Sequence, residues 1–266
     1  MDTDMDSAYG ADDTTPDLDP DRADRHRSGR DQADVVHLWY IDLDAVSPGA
    51  GKRLDSALGP EERARRGTYP DSRSRSRFTV AHGALRILLG RFLGIPAPQV
   101  RMRCGPLGKP SLPPGAPPVH FSLSHARGQA VAAVSVGREV GVDLDHPRDG
   151  FPLEEFTRRY FPPPERDLVL GAPRGDRQRV FLTLWTRKEA LVKAAGSGIA
   201  VGVRQQVGVA ADATVVTADH PRMRGTWRIA DLSPPLGVGA VALAHSRPYR
   251  VVAHNWAAAE APWTKP

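Results

Sequence analysis

Two carboxylates on one predicted strand constrain the fold of this chain more than any other feature. Residues 141–145 have the sequence GVDLD and follow the apolar run 130–136, a pattern that predicts a strand. Because the side chains of a strand alternate between its two faces, Asp143 and Asp145 project from the same face.

A third acidic residue lies on a predicted helix further along the chain. Residues 185–193 have the sequence WTRKEALVK, in which Trp185, Glu189 and Lys193 are four apart and share one helix face. If that face meets the two aspartates, three carboxylates and one ammonium converge on one point. Clustered oxygen ligands beside a fixed cation suit a Mg²⁺ ion that holds a phosphate or pyrophosphate. The two motifs therefore predict phosphoryl or phosphodiester chemistry.

Charge is distributed unevenly along the chain. Residues 1–34 contain eleven Asp and four Arg, a net charge of −7, whereas the whole chain carries +5 and the remainder therefore +12. We expect the acidic segment 1–34 to be disordered because it has almost no large apolar residues. We expect the same of the small, proline-bearing segment 257–266. The basic body favours an anionic partner, which can be nucleic acid, a small molecule or an acidic protein.

The sequence shows no sign of export or of a membrane span. Residues 1–34 lack the basic start and apolar centre of a signal or transit peptide. No apolar run approaches the roughly 20 residues that a membrane span needs. Cys104 is the single cysteine, which excludes an intrachain disulfide and a zinc-finger pattern. We therefore expect a cytoplasmic protein with no membrane partner.

Helix and strand patterns follow each other in two successive units. With 40% hydrophobic residues the chain can build a substantial core. We predict an α+β fold with one unit over residues 35–138 and a second over 139–256, so that the aspartate pair lies where the units meet. The predicted strands span 35–41, 119–123, 130–136, 140–144, 206–210, 214–216, 226–229, 238–244 and 249–253, and the longer predicted helices 78–93 and 180–195, the latter ended by Gly196.

A further motif places hydroxyls and an imidazole at the end of a strand. Residues 121–125 have the sequence FSLSH, and Ser and His side chains can donate hydrogen bonds to phosphate oxygens. No Gly-x-Ser-x-Gly elbow precedes them, so the Ser-His pair is no sign of a serine hydrolase.

Four motifs in this order resemble those of the 4′-phosphopantetheinyl transferases, in particular the larger, surfactin-synthetase-activator (Sfp-type) class. They are GKP at 108–110, FSLSH at 121–125, GVDLD at 141–145 and W-x-x-K-E-A-x-x-K at 185–193. The resemblance implies a monomer of two similar α+β halves related by pseudo-twofold symmetry, with the site in the cleft between them. It also implies that the protein binds coenzyme A and Mg²⁺ and moves the phosphopantetheine arm onto a serine of an acyl or peptidyl carrier protein.

The resemblance implies roles for individual residues as well. Asp143 and Glu189 are metal ligands, and Asp145, which stands where the family usually has Glu, is a third, direct or water-mediated ligand. Glu189 is also the base, directly or through water, for the incoming serine hydroxyl. The residues carried over to catalysis are Glu189, Lys193 and His125, and those carried over to coenzyme A binding are Lys109, Ser124, His125, Lys188 and Lys193. Ser122 replaces the more usual Asn, which leaves its role open.

The chemistry of coenzyme A agrees with a basic cleft. Its 3′-phosphate and pyrophosphate are dense negative charges that basic residues attract, and arginine forks suit the 3′-phosphate. Arg77 and Arg86 are our candidates for that contact. Carrier proteins of this kind are acidic helical bundles, so a basic rim would also steer the protein substrate.

Two other functions remain open at this stage. The same acidic cluster acting on water would make the protein a metal-dependent nucleotide or coenzyme A pyrophosphatase. The sequence pI of about 9.6 is also compatible with a non-enzymatic nucleic-acid-binding protein, although no helix-turn-helix signature or aromatic stacking platform is present.

Overall fold

Two four-stranded sheets, each with a long helix on its outer face, form the framework of the protein. A computed structural model describes residues 34–209, 214–235 and 237–256. The segments predicted to be disordered, 1–34 and 257–266, lie outside these ranges except for Asp34. The fold is a mixed α+β arrangement, as the sequence predicts.

Seven helices occur within the described residues. They are α1 (Pro48–Ala57), α2 (Pro60–Gly67), α3 (Ser72–Leu93), α4 (Leu153–Tyr160), α5 (Pro163–Gly171), α6 (Arg174–Ala195) and α7 (Ile199–Gly202), with a 3₁₀ turn at Ala97–Gln99. The two long helices, α3 and α6, both end at a glycine in the left-handed conformation, Gly94 (φ 69°) and Gly196 (φ 66°). Glycine is the residue that adopts this conformation at no steric cost, so it ends a helix cleanly.

Ten strands build the sheets and one small hairpin. They are β1 (Val35–Asp42), β2 (Arg103–Cys104), β3 (Pro110–Ser111), β4 (Val119–Ala126), β5 (Gln129–Val136), β6 (Val140–Asp145), β7 (Thr214–Ala218), β8 (Gly225–Leu232), β9 (Val238–Ala244) and β10 (Arg250–Asn255). The first sheet has the order β10-β1-β5-β4, the second has the order β6-β9-β8-β7, and β2 pairs with β3.

The side chains of each strand alternate between its two faces, and the buried apolar ones form three separate clusters. One face of β1 and β5 packs with α3, whereas the opposite face contributes Val36, Leu38 and Val131 to a cluster between the sheets. In β6, Val142 and Leu144 also face that inner cluster. The other face of the second sheet packs against α6. Asp143 and Asp145, which alternate with the inner residues, therefore lie on the α6 side of β6.

Gly141 allows α6 to lie directly on β6. A Cβ atom at this position would stand 2.0 Å from the carbonyl oxygen of Ala190 and 2.3 Å from the backbone nitrogen of Ala194. Both neighbours are backbone atoms of a helix and cannot move aside individually. The absence of a side chain at Gly141 thus sets the distance between β6, with its two aspartates, and the helix that carries Glu189.

Two features of the chain path differ from the sequence-based expectation. Residues 206–209 of the predicted strand 206–210 form no strand, because the backbone N–H groups of Val207 and Gly208 donate to the Glu165 carboxylate instead of to a neighbouring strand. Strand β10 leaves the second half of the chain and pairs in parallel with β1, Val35 opposite Arg250. The predicted division at residues 138 and 139 stays a prediction.

Among the described helices, none combines the length and the apolar character that crossing a lipid bilayer requires.

We predict that Gly141→Ala destabilises the protein, because the new methyl group meets helix backbone. We expect the free energy of unfolding to fall by at least about 2 kcal/mol, as for other overpacked sites, measured by guanidinium denaturation. Gly175→Ala is the matched control, since nothing lies within 4 Å of that position on α6. Equal stability of the two variants would contradict the close approach of β6 and α6.

Candidate active site

The acidic strand β6 and the helix α6 meet at a cleft of about 500 Å³. Six of the residues singled out from the sequence as site residues line it, and two further cations are among the other lining residues. The lining contains Ser124, His125, Asp143, Asp145, Glu189 and Lys193, and also Arg127, His146, Arg148 and Trp185. The structure therefore brings together all three predicted metal ligands and the predicted phosphate-binding lysine.

Asp143 is a buried carboxylate of the cleft with two side-chain hydrogen-bond donors. Its Oδ1 atom accepts hydrogen bonds from Ser124 Oγ at 2.8 Å and from Lys193 Nζ at 2.6 Å. Burial raises the pKa of Asp143, whereas the Lys193 ammonium and the Ser124 hydroxyl oppose that rise. The lysine and the serine thus give the buried carboxyl the partners that its ionised form needs.

The two serines of the FSLSH motif join the sheets. Ser122 Oγ accepts the backbone N–H of Val142 at 3.1 Å, and Ser124 Oγ accepts that of Leu144 at 3.3 Å. Lys193 Nζ also donates to Ser124 Oγ, at 3.0 Å. Ser122 therefore has a structural role in the seam between β4 and β6. Ser124, which also bonds Asp143, links that seam to the cleft.

Asp145 forms an ion pair with a different cation, Arg148. Arg148 Nη2 lies 3.2 Å from its Oδ1 and 3.1 Å from its Oδ2, and the backbone N–H of His146 donates to Oδ1 at 2.8 Å. Asp145 itself is buried, whereas the Arg148 side chain is 65% exposed. Arg148 belongs to the loop between β6 and α4 and covers the second aspartate from the solvent side.

Glu189 enters the cleft from α6, on the same face as Trp185 and Lys193. Burial raises the pKa of Glu189, the nearby Asp143 and Asp145 carboxylates raise it further, and Lys193 lowers it. Trp185 stacks on Phe181 with ring centroids 6.1 Å apart and so forms an apolar wall beside the carboxyl. A carboxyl whose pKa is raised in this way accepts a proton more readily near neutral pH than an ordinary glutamate.

The donor chemistry of the cleft fits a hard divalent cation, but the carboxylates are not arranged around a common point. The described residues contain no group of three His, Cys, Asp or Glu side chains positioned to hold a metal as they stand. Lys193 pairs with Asp143 and Arg148 pairs with Asp145. Carboxylate oxygens are the ligands that Mg²⁺ prefers, so the residue types of the cleft fit the ion.

A second cleft of about 450 Å³ adjoins the first and shares Leu123, His125 and Lys193 with it. Lys109 and Arg65 line it. Its remaining lining includes Glu61, Glu62, Phe78, His82, Met102, Cys104 and Phe121. Burial lowers the pKa of His125, and the neighbouring cations lower it further. The imidazole at the junction is therefore neutral at pH 7.

Lys109 closes the wall between the second cleft and the end of α6. Its ammonium donates to the carbonyl oxygen of Ala194 at 2.6 Å and forms an ion pair with Glu139. The predicted GKP motif thus lies in the second cleft, with its lysine tied to the helix that carries Glu189.

Arg86 does not fit the predicted role in phosphate binding. Its side chain is buried, forms an ion pair with Glu62, and donates to the carbonyl oxygens of Ala97 and Val100 at 3.1 and 2.9 Å. With its guanidinium engaged in this way, Arg86 holds α2 and the turn after α3 together.

Arg77 lies at the edge of a smaller neighbouring cavity that His125 and Arg127 also line. Its guanidinium forms a bidentate ion pair with Asp44, at 2.8 and 2.5 Å. Its predicted contact with a 3′-phosphate stays a prediction.

The buried position of Lys188 contradicts the expectation that this residue binds coenzyme A. Its side chain is fully buried and lies 2.5 Å from the Glu165 carboxylate. It also donates to the carbonyl oxygen of Gln205 and lies over the Phe161 ring. Lys188 precedes Glu189 by one residue and so points to a different side of α6, toward α5 and the segment after α7.

Two ion-pair partners of predicted site residues were missed in the sequence analysis. Arg148 follows Asp145 by three residues, a short-range charge spacing that gives a weak signal. Glu165 carries no signal at all, because its partners Lys188 and Val207 are distant in sequence.

Comparison with known proteins gives a consistent result. Residues 139–231 match the family model described as the 4′-phosphopantetheinyl transferase superfamily. The 4′-phosphopantetheinyl transferase HetI of a Nostoc species is 37% identical over 63% of this chain and 71% of its own length. A putative 4′-phosphopantetheinyl transferase of a Synechocystis species is 33% identical over 64% and 68%. The 4′-phosphopantetheinyl transferase Sfp of Bacillus subtilis is 24% identical over 62% and 72%.

We predict that Lys188→Met destabilises the protein by about 3–5 kcal/mol, because Glu165 is then left buried without its cation. Chemical denaturation measures the loss. The double variant Lys188→Met/Glu165→Gln should regain most of it, because glutamine keeps an acceptor for the N–H groups of Val207 and Gly208 without a buried charge. Weaker coenzyme A binding at unchanged stability would instead restore the predicted binding role of Lys188.

Proposed function

Because this chain belongs to the 4′-phosphopantetheinyl transferase family, we propose that it transfers the 4′-phosphopantetheine arm of coenzyme A to a serine of an apo carrier protein and releases 3′,5′-ADP. The family uses coenzyme A as its substrate and generally depends on a divalent metal. The observation that carries the proposal is the cleft in which Asp143, Glu189 and Lys193 meet beside Ser124.

We assign the metal to the carboxylates of this cleft. Asp143 and Glu189 would hold Mg²⁺, and Asp145 would contribute directly or through water. When bound, the ion would supply positive charge against the negative charge that develops on the pyrophosphate as 3′,5′-ADP departs. Lys193 would hold the pyrophosphate, and Ser124 and His125 would contact its oxygens, Ser124 with the O–H that it donates to Asp143 in this structure.

The reaction needs one proton to be removed. The serine oxygen of the carrier attacks the phosphorus that bears the pantetheine arm, a new P–O bond forms, and the bond to 3′,5′-ADP breaks. The serine proton passes to Glu189, directly or through a water molecule. The raised pKa of Glu189 and its place next to the two aspartates support this role. No covalent intermediate with the protein is required.

The second cleft is our site for the nucleotide of coenzyme A. Lys109 and Arg65 supply positive charge there, and Phe78 and Phe121 supply apolar surface. Arg77 stays our candidate for the 3′-phosphate. In that role it would either bind the phosphate while still paired with Asp44 or give up this ion pair.

We further propose that the protein acts as a monomer in the cytoplasm on acidic carrier proteins. The charge of +12 outside residues 1–34 supports an acidic partner. The same proposal includes a pseudo-twofold relation between halves 35–138 and 139–256. Its support is that the two 22-residue helices α3 and α6 each end at a left-handed glycine and pack on a four-stranded sheet, the first of which takes its strand β10 from the second half.

We predict that the purified protein, with coenzyme A and Mg²⁺, increases the intact mass of an apo carrier protein by one phosphopantetheine. Asp143→Ala and Glu189→Ala should abolish this gain at an unchanged circular dichroism spectrum, and so should a chelator. Asp176→Ala, on the same helix as Glu189 but outside the cleft, is the control that should retain full activity.

The alternatives give different outcomes in the same assay. Near-normal turnover by Glu189→Ala or Asp143→Ala would refute the metal assignment. Consumption of coenzyme A without any change in carrier mass would identify a pyrophosphatase.

A further inference from the structure

The two aspartates of the active-site cleft already hold one cation each. Lys193 Nζ is 2.6 Å from Asp143 Oδ1, and Arg148 Nη2 is 3.1 Å from Asp145 Oδ2. The family resemblance leads us to expect a lysine at the position of Lys193, whereas Arg148 belongs to none of the four motifs.

The Arg148 side chain can leave without disturbing its backbone. The loop that carries it is anchored at the Arg148 carbonyl oxygen, which accepts from Gln178 Nε2 at 3.3 Å and from the backbone N–H of Phe151 at 3.4 Å. The guanidinium itself is 65% exposed, and Asp145 is its ion-pair partner. An ion pair with one exposed member contributes little free energy, so a competing cation can displace it.

Asp145, by contrast, has no oxygen that is clear of Arg148. Both of its carboxylate oxygens lie within 3.2 Å of Arg148 Nη2, and Oδ1 also accepts the N–H of His146. A divalent ion that binds either oxygen therefore competes with the guanidinium for it.

We infer that Arg148 is a positioning residue that competes with the divalent cation for Asp145 and thereby sets the metal affinity of the active site. The inference rests on the proposed function, because it takes the metal site as given. Arg148 acts through Asp145 and touches neither substrate in this role.

The test is a titration of the full chain with Mn²⁺, in which electron paramagnetic resonance measures free Mn²⁺, with and without coenzyme A. Arg148→Ala should bind Mn²⁺ roughly 1.5- to fivefold more tightly than the wild type, the range expected for loss of one weak competing ion pair. Arg148→Lys keeps a charge on a flexible stem, so its Mn²⁺ affinity should lie between those of the wild type and Arg148→Ala.

Three controls separate direct competition from a general loss of positive charge. Arg179→Ala removes an arginine of similar exposure that pairs with Asp176 at the same three-residue spacing, and it should leave Mn²⁺ affinity unchanged. Arg127→Ala removes a cation that lines the same cleft but bonds the Pro147 carbonyl oxygen, so its effect should be smaller. In an Asp145→Asn background, Arg148→Ala should have no effect.

The outcomes distinguish this inference from the proposed function. Mn²⁺ binding at equal affinity in wild type and Arg148→Ala would overturn the inference while the metal site stands. Tighter binding that persists in the Asp145→Asn background would also overturn it, because the effect would then not pass through Asp145. Failure of every variant to bind Mn²⁺, even with coenzyme A, would refute the metal site and the inference together.

Discussion

The seam between β4 and β6 is the interaction on which the active site depends. Ser122 and Ser124 accept the N–H groups of Val142 and Leu144 through their hydroxyls, so two strands of different sheets are joined by side chains and not by a backbone ladder. Because the serine side chain is short, these hydrogen bonds bring the two strands close together. They also give the buried N–H groups of Val142 and Leu144 an acceptor. The same Ser124 hydroxyl bonds Asp143, which ties the position of the first proposed metal ligand to the packing of the sheets.

The two lysines of helix α6 have different roles: one stabilises the interior and the other lines the cleft. Lys188 and Lys193 are five positions apart, which turns their side chains by roughly 140° around the helix axis. Lys188 points into the interior and pairs with Glu165, whereas Lys193 points into the cleft and pairs with Asp143. Each lysine offsets the burial of a carboxylate. Of the two ion pairs, only that between Lys193 and Asp143 can be broken by an anionic substrate, because Lys193 remains partly exposed in the cleft.

Regular periodicity explains why much of the site was predictable from the sequence. The alternation of a strand puts Asp143 and Asp145 on one face, and the four-residue spacing puts Trp185, Glu189 and Lys193 on another. Residue type alone was a poor guide for Lys188 and Arg86, since a charged side chain reveals its partner only after folding. Their partners, Glu165 and Glu62, lie 23 and 24 positions away. The parallel pairing of β10 with β1 likewise joins the ends of the described chain and leaves no local pattern.

Asp143 and Glu189 are proposed to hold one divalent ion against the pyrophosphate of coenzyme A. An anomalous difference map from crystals grown with Mn²⁺ and coenzyme A would test this directly. We expect a single strong peak at coordination distance from carboxylate oxygens of both residues, with Lys193 on the pyrophosphate. A peak only outside this cleft, or coenzyme A bound with its pyrophosphate away from Lys193, would contradict it.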